Sequence, residues 1–154
     1  IETACEALSN FGGVKRRMEL LGTVRGIEVY DDFAHHPTAI DTTLDGARKR
    51  LGERKLWAII EPRSNTMRMG SHKEGLAYSA RLADEVIWYQ PEGLDWDLQP
   101  VVAAAPNKAK IARTLDDIIH TVSQEAGEGD AVVIMSNGGF GGLHQKLLSA
   151  LKSA

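Results

Sequence analysis

The segment 31–37, with the sequence DDFAHHP, carries two acids and two histidines that could bind an anionic ligand. It follows a predicted strand and precedes a predicted helix, whose free N-terminal N–H groups and positive dipole end favour a phosphate. Asp32 could accept hydrogen bonds from ribose hydroxyls, and His35 could donate to phosphate oxygens. The alternative is that Asp32 caps the helix and that the histidines are solvated turn residues. No third ligand lies at a recognisable spacing, so we expect no metal site here.

Arginine occurs beside other polar side chains in two further segments. Arg17 ends the run KRR, and its guanidinium suits bidentate contact with a phosphate, although a solvated run of charge is the alternative. The second segment, EPRSNT at residues 61–66, follows a predicted buried strand. It could bind a carboxylate, with Arg63 as the bidentate donor. A hydrophilic connection with a local turn is the alternative there. Its candidate residues are Arg63, Ser64, Asn65 and Thr66.

A glycine-rich segment, SNGGFGG, covers residues 136–142 and lies between a predicted strand and the last predicted helix. Its four glycines permit positive φ angles and a close approach of the backbone to a ligand. It matches neither GxGxxG nor the P-loop pattern, and a tight strand-to-helix turn is the alternative. Three loops with polar or glycine chemistry are thus predicted at carboxyl ends of strands, where ligands bind in open α/β sheets. The candidates here are Asn137, Gly138, Gly139 and Phe140.

Short apolar runs predict strands that are buried on both faces of a sheet. These runs are Leu56–Ile60, Glu85–Tyr89 and Ala131–Met135. Two earlier segments, Arg17–Thr23 and Ile27–Asp32, are predicted to form a hairpin around Arg25-Gly26. Because the apolar strands alternate with helical patterns, the sequence predicts an α/β fold. We expect a mostly parallel sheet, flanked by helices, with one antiparallel edge strand.

Helical spacing of apolar residues, together with start and stop signals, predicts five helices. They are Glu2–Phe11, Pro37–Leu51, Glu74–Leu82, Leu115–Ala126 and Leu143–Leu151. Thr114 is the predicted N-cap of the fourth helix, and Gly52 and Gly127 are predicted to end the second and the fourth. Residues 90–108 contain three prolines and are predicted to be irregular, apart from a short strand at 101–104.

Composition restricts the class of protein. The chain has 154 residues, 43% hydrophobic and 25% charged, which predicts one globular domain. A net charge of −3 gives no basic footprint, so we expect no nucleic-acid partner. No apolar run approaches the roughly 20 residues that cross a bilayer, so we expect no membrane partner. The single cysteine, Cys5, suits a cytoplasmic location. The chain begins with Ile1 rather than Met, and we expect it to be a fragment.

Four sequence motifs together resemble one family. The segments FGGVKRRME (residues 11–19) and YDDFAHHPTAI (residues 30–40) resemble the C-terminal domain of the Mur ligases, the ATP-dependent amino-acid and peptide ligases of peptidoglycan synthesis. EPRSNTMRMG (61–70) and MSNGGFGGLHQKLL (135–148) are similar to one branch of that family. That branch joins UDP-N-acetylmuramate to the tripeptide L-alanyl-γ-D-glutamyl-meso-diaminopimelate in peptidoglycan recycling. The resemblance implies a Rossmann-like fold.

The resemblance also implies roles for individual residues. Arg17 would contact the ribose and phosphates of ATP, and Asp32 would bind the ribose. His35 would lie beside the nucleotide and the reacting centre, as a catalytic residue. Residues 63–66 would face the incoming peptide, and Asn137 to Gly142 would line the same pocket.

A three-domain enzyme is the further implication of the resemblance. Residues 1–154 would form its C-terminal domain and pack on a central ATPase domain. ATP and Mg²⁺ would convert the substrate carboxylate to an acyl phosphate, which the amine of the peptide attacks. The P-loop lysine and the magnesium-binding carboxylates are missing from this sequence, so the fragment is expected to be inactive alone. The alternative is a stand-alone regulatory module that binds a nucleotide or another anion.

Overall fold

The computed structural model describes residues 19–32, 37–61, 77–90, 99–104, 108–136 and 142–153. Strands within these ranges are β1 (Glu19–Val24), β2 (Ile27–Asp32), β3 (Leu56–Ile60), β4 (Glu85–Tyr89), β5 (Lys108–Ala112) and β6 (Ala131–Met135). The helices are α1 (Pro37–Leu51), α2 (Gln99–Ala104), α3 (Leu115–Glu125) and α4 (Leu143–Ser153). Residues 77–79 are also helical. The predicted helix Glu2–Phe11 lies outside the described residues.

One sheet contains all six described strands, in the order β1-β2-β6-β3-β4-β5. β1 pairs with β2 in the antiparallel sense, and each of the other neighbouring pairs is parallel. The predicted mostly parallel α/β sheet with an antiparallel edge strand is therefore confirmed.

The turn between β1 and β2 has the backbone geometry of a tight hairpin. Arg25 and Gly26 both have positive φ angles, of 55° and 77°, as a type I′ turn requires. The carbonyl oxygen of Gly26 accepts a hydrogen bond from the amide of Gly129 at 2.9 Å. The predicted hairpin is confirmed, and this bond joins its turn to the loop that precedes β6.

Each central strand contributes alternate side chains to two apolar cores, one on either face of the sheet. In β3, Leu56, Ala58 and Ile60 belong to the first core, whereas Trp57 and Ile59 belong to the second. β6 follows the same alternation. Every residue of β3 and β6 is fully buried, which explains why these strands read as unbroken apolar runs.

The helices divide between the two faces. α1 and α2 cover the first core, into which α1 inserts Ile40, Leu44 and Ala47. α3 and α4 cover the second core, with the buried side chains Ile118, Val122, Leu143, Leu147 and Leu151. Among the described helices, none combines the length and the apolar composition that a membrane span requires.

The expectation for residues 90–108 is wrong in two respects. Residues 101–104 belong to helix α2 and not to a strand, because Val101 packs fully buried into the first core against the sheet. The strand of this region is β5, which pairs with β4 and was not predicted. Its sequence KAKIA alternates lysine with apolar residues, which is typical of an edge strand that solvent reaches on one side.

Several helix boundaries differ from prediction by a few residues. The helical residues 77–79 are followed by a turn at 80–82, so the predicted end at Leu82 is too late. α3 ends at Glu125, one residue early, and α4 continues to Ser153. The predicted N-cap of α3 is confirmed, since the Thr114 hydroxyl accepts a hydrogen bond from the Asp117 amide at 3.1 Å.

Candidate functional site

The carboxyl ends of β2, β6 and β3 lie side by side, and we call this part of the sheet the carboxyl edge. Asp32 is in register with Met135, which is in register with Ile60, so the three strands end level. Just beyond them, the Ser136 amide donates to the Asp32 carbonyl at 3.1 Å, and the Glu61 amide donates to the Met135 carbonyl at 2.9 Å. Three of the four predicted segments, 31–37, 61–66 and 136–142, include or follow these strand ends in the sequence, and the structure describes only their residues nearest to the sheet and to the helices.

The connections that leave the carboxyl edge diverge between β2 and β6. α1, which follows β2, packs on the first core, whereas α4, which follows β6, packs on the opposite face. Neighbouring strands whose connections depart to opposite faces leave a crevice between them, and this is where ligands bind in open α/β sheets. Residues 77–80, which follow β3 in the chain, also contribute to the first core, so the topology selects the end of β6, between β2 and β3, as the candidate binding site.

Asp32 borders this site, at the last position of β2. Its side chain is buried, and its Oδ1 accepts a hydrogen bond at 3.1 Å from the Thr43 hydroxyl on α1. Because α1 begins at Pro37, Asp32 does not occupy the N-cap position that the alternative interpretation gave it. The bond to Thr43 holds the carboxylate at the strand end, where it can act as an acceptor.

Asp31 points to the other face of the sheet and contacts α4. Its Oδ1 lies 2.9 Å from Nε2 of His144, and the two side chains are only 11% and 15% exposed. Since a carboxylate oxygen only accepts, His144 donates this hydrogen bond. The sequence showed no partner for His144, and the structure supplies one. Alternation along a strand was the available signal, because it sends two consecutive acids to opposite faces.

Glu61 and Ser136 join the ends of β3 and β6. The Ser136 hydroxyl, in a fully buried residue, donates to Oε1 of Glu61 at 2.5 Å. Tyr89 is the last residue of β4. Burial raises the pKa of its phenol, and the negative charge of Glu61 raises this pKa further. Neither Glu61 nor Ser136 was predicted as a site residue, although each is the first residue of a predicted segment.

Of the predicted site residues, the structure describes Asp32, at the carboxyl edge, and Gly142, directly before α4. The others lie outside the described residues: Arg17, His35, Arg63, Ser64, Asn65, Thr66, Asn137, Gly138, Gly139, Phe140 and Gly141. The described part of the chain contains no group of three or more His, Cys, Asp and Glu side chains that could hold a metal ion.

Comparison with known families adds an independent finding. The family model described as "Mur ligase, glutamate ligase domain" matches residues 16–138 of this chain, which include the ends of all three strands of the carboxyl edge. The chain belongs to the Mur ligase family. The predicted resemblance is confirmed.

Two sequence relatives narrow the position of the chain within the Mur ligases. They are the UDP-N-acetylmuramate–L-alanyl-γ-D-glutamyl-meso-2,6-diaminoheptandioate ligases of Haemophilus influenzae and Escherichia coli, 44% and 46% identical over 153 and 149 residues. The alignments cover 99% and 96% of this chain but only 34% and 33% of those proteins. The chain thus spans about a third of the length of these relatives.

A solved structure agrees with the sequence relatives. The crystal structure of a murein peptide ligase from Psychrobacter arcticus is 58% identical to this Mur ligase domain and superimposes with a TM-score of 0.87. The match covers 99% of this chain and 33% of that one. The resemblance of this domain to the murein peptide ligase branch is therefore confirmed.

The contact between Thr43 and Asp32 gives a test of the site geometry. We expect Thr43→Val to lower the free energy of unfolding by about 1–3 kcal/mol, because the buried Asp32 carboxylate loses a donor. Thr42→Val is the matched control, since the exposed Thr42 hydroxyl only donates to the Thr38 carbonyl within α1. We expect it to change stability by less than about 0.5 kcal/mol. Urea unfolding of both variants measures the difference, and equal effects would contradict the assigned contact.

Proposed function

We propose that this chain is the C-terminal domain of an ATP-dependent ligase of three domains. The ligase joins UDP-N-acetylmuramate to L-alanyl-γ-D-glutamyl-meso-diaminopimelate through an acyl phosphate, in peptidoglycan recycling. The observation that carries the proposal is the identity of 44–46%, along almost the whole chain, to two ligases whose names contain both substrates. The crevice at the carboxyl edge supports it, because an open α/β sheet binds its ligand there.

On the nucleotide side of the proposed site, Asp32 binds the ribose of ATP and Arg17 contacts the ribose and the phosphates. The bond from Thr43 to Oδ1 orients the Asp32 carboxylate at the end of β2. His35 follows Asp32 by three residues and is proposed as the catalytic residue beside the reacting centre.

On the peptide side, residues 63–66 and 137–140 contact the incoming tripeptide. Both segments follow strand ends that the Ser136–Glu61 hydrogen bond holds together, which supports a shared pocket for them. Arg63 is the proposed partner of a peptide carboxylate, because a guanidinium binds a carboxylate through two parallel hydrogen bonds.

ATP is the cosubstrate in this proposal, and Mg²⁺ neutralises the charge that develops during phosphoryl transfer. Solved relatives of the same fold, under 25% identical, include one in complex with ADP. This domain packs on the central ATPase domain of the same chain, and the ligase works in the cytoplasm, without nucleic-acid or membrane partners. Its own contribution is to position amine and nucleotide, and its movement gates the reaction.

The first test compares the full-length protein with residues 1–154. We expect the full-length protein to release ADP only when UDP-N-acetylmuramate and the tripeptide are both present. We expect the 154-residue chain to release none, because its sequence contains no P-loop to bind the ATP phosphates. Coupled ADP assays measure both proteins. Tripeptide-independent turnover by the full-length protein would contradict the substrate assignment, and a coding sequence that starts near Ile1 would favour the regulatory module.

The nucleotide assignment predicts that Asp32→Ala and Arg17→Ala in the full-length protein each weaken the use of ATP at least tenfold. This corresponds to a loss of about 1.4 kcal/mol of transition-state stabilisation. Asp32→Asn is measured beside Asp32→Ala. Asparagine keeps the size of the buried side chain and an oxygen that accepts the hydrogen bond from Thr43, so this variant removes mainly the negative charge. Asp45→Ala is the control, since Asp45 is exposed on α1. Unchanged kcat/KM for ATP in Asp32→Ala and Arg17→Ala would overturn the assignment.

The peptide assignment predicts a different kinetic signature for Arg63→Ala. We expect the KM for the tripeptide to rise about tenfold or more, because a bidentate contact to a carboxylate is lost. The KM for ATP should change much less. Arg113→Ala, which removes an exposed arginine before α3, serves as control. Steady-state kinetics, with the concentration of each substrate varied in turn, measure both KM values. An equal rise of the two KM values would refute the assignment.

A further inference from the structure

Two neighbouring threonines on α1, Thr42 and Thr43, use their hydroxyls differently. The Thr42 hydroxyl donates to the Thr38 carbonyl at 2.9 Å, four residues earlier, which is a usual partner of a threonine inside a helix. The Thr43 hydroxyl instead donates to Oδ1 of Asp32 at 3.1 Å, which lies 11 residues away on β2. Thr43 therefore makes a tertiary contact, although a local acceptor is the common choice in a helix.

The position of Thr43 on α1 is one at which the helix pattern favours an apolar side chain. Ile40 and Ala47 are fully buried in the first core, and they precede and follow Thr43 by one helical turn. Residues at this spacing share one face of a helix. Thr43 is itself partly buried, so its hydroxyl meets the sheet beside these apolar side chains. A hydroxyl in such a place is costly unless it is hydrogen-bonded, and Asp32 supplies the partner.

The backbone on both sides of this contact is fixed without Thr43. Asp32 belongs to β2, which is paired with β1 and with β6, and its carbonyl accepts a hydrogen bond from the Ser136 amide at 3.1 Å. α1 is held by its buried apolar side chains and by the ion pair of Asp41 with Arg81 at 2.9 Å. Loss of the Thr43 hydroxyl therefore leaves β2 and α1 in place, and it removes a restraint on the side chain of Asp32.

We propose that Thr43 is a positioning residue for ATP, whose hydroxyl holds the Asp32 carboxylate in the orientation that accepts a hydrogen bond from the ribose. This inference rests on the proposed function, which assigns the ribose to Asp32. The structure describes both residues, so the contact links Thr43 directly to a residue of the proposed site. Thr43 itself touches no substrate.

Preorganisation of the carboxylate is the physical basis of this role. A side chain that is already held does not have to be ordered when the nucleotide binds, so the ribose contact costs less conformational entropy. Without the hydroxyl, Oδ1 of the buried Asp32 loses its donor and the carboxylate turns toward another one. Because the proposed function gives Asp32 to the nucleotide, the tripeptide gains nothing from the contact. A higher KM for ATP with a constant KM for the tripeptide is the expected signature.

The kinetic test uses the full-length protein with matched variants of α1. For Thr43→Val we expect the KM for ATP to rise about fivefold, with less than a twofold change in the KM for the tripeptide. Thr43→Ser keeps the hydroxyl and should restore the KM for ATP to within about twofold of the parent. Thr42→Val removes a hydroxyl that donates within its own helix and should leave both KM values unchanged.

Ile40→Val is the control for lost packing, because it trims a fully buried side chain of α1 and leaves the contact between Thr43 and Asp32 intact. We expect it to leave the KM for ATP unchanged. An equal rise of this KM in Ile40→Val and Thr43→Val would show that Thr43 acts through the stability of the fold, and it would overturn the proposal.

A double-mutant cycle shows whether Thr43 acts through Asp32. In the Asp32→Ala background, Thr43→Val should change kcat/KM for ATP by less than about twofold, because the carboxylate that Thr43 positions is gone. The same loss of kcat/KM in both backgrounds would contradict the positioning role.

Calorimetric binding of ATP to the same full-length proteins, without the other substrates, separates this inference from the proposed function. The expected pattern is a Kd for ATP that rises about fivefold in Thr43→Val and returns to the parent value in Thr43→Ser. If the parent ligates no tripeptide but this pattern appears, the ligase assignment fails and the positioning role stands. If the parent ligates the tripeptide and Asp32→Ala weakens ATP binding, whereas Thr43→Val binds ATP as the parent does, the proposed function stands and the positioning role is overturned.

Discussion

The register of three parallel strands is the constraint on which the site depends. Asp32, Met135 and Ile60 end level on β2, β6 and β3, so Ser136 and Glu61, which follow β6 and β3, lie within hydrogen-bond distance of each other. The bonds from Ser136 to Asp32 and from Glu61 to Met135 extend this register by one residue beyond the strands. Because a slip of one residue in a strand reverses which face each side chain points to, the buried apolar runs of β3 and β6 help to enforce it.

The dipeptide Asp31-Asp32 connects this register to the helices on both faces. Strand alternation directs Asp32 to α1, where it meets Thr43, and Asp31 to α4, where it meets His144. Burying two neighbouring acids is costly unless each receives a donor, and each receives one from a helix on its own side. One strand end therefore locates both helices that flank the crevice, and it does so at the point where their connections diverge.

The elements that could be predicted are those whose signal is local. β3 and β6 are unbroken apolar runs, β4 is apolar after its first residue, Glu85, and the β1–β2 turn is recognisable from Arg25-Gly26. β5 was missed because five alternating residues on an edge strand bury little, and residues 101–104 form a helix because Val101 is needed in the first core. Asp32 could be predicted from its place at a strand end. His144, Ser136 and Glu61 could not, because their partners lie 113 and 75 residues away.

The acids of the carboxyl edge serve the fold before they serve a ligand. Asp31, Asp32 and Glu61 each accept a hydrogen bond from a side chain of this chain. Two of these bonds join β2 to α1 and α4, and the third joins the end of β3 to the end of β6. We call these three hydrogen bonds the frame. Breaking any of them leaves a carboxylate that is poorly solvated, so the frame resists distortion. Substitution of a donor in this frame therefore costs stability, because the strand ends are held to one another and to the two helices through these hydrogen bonds.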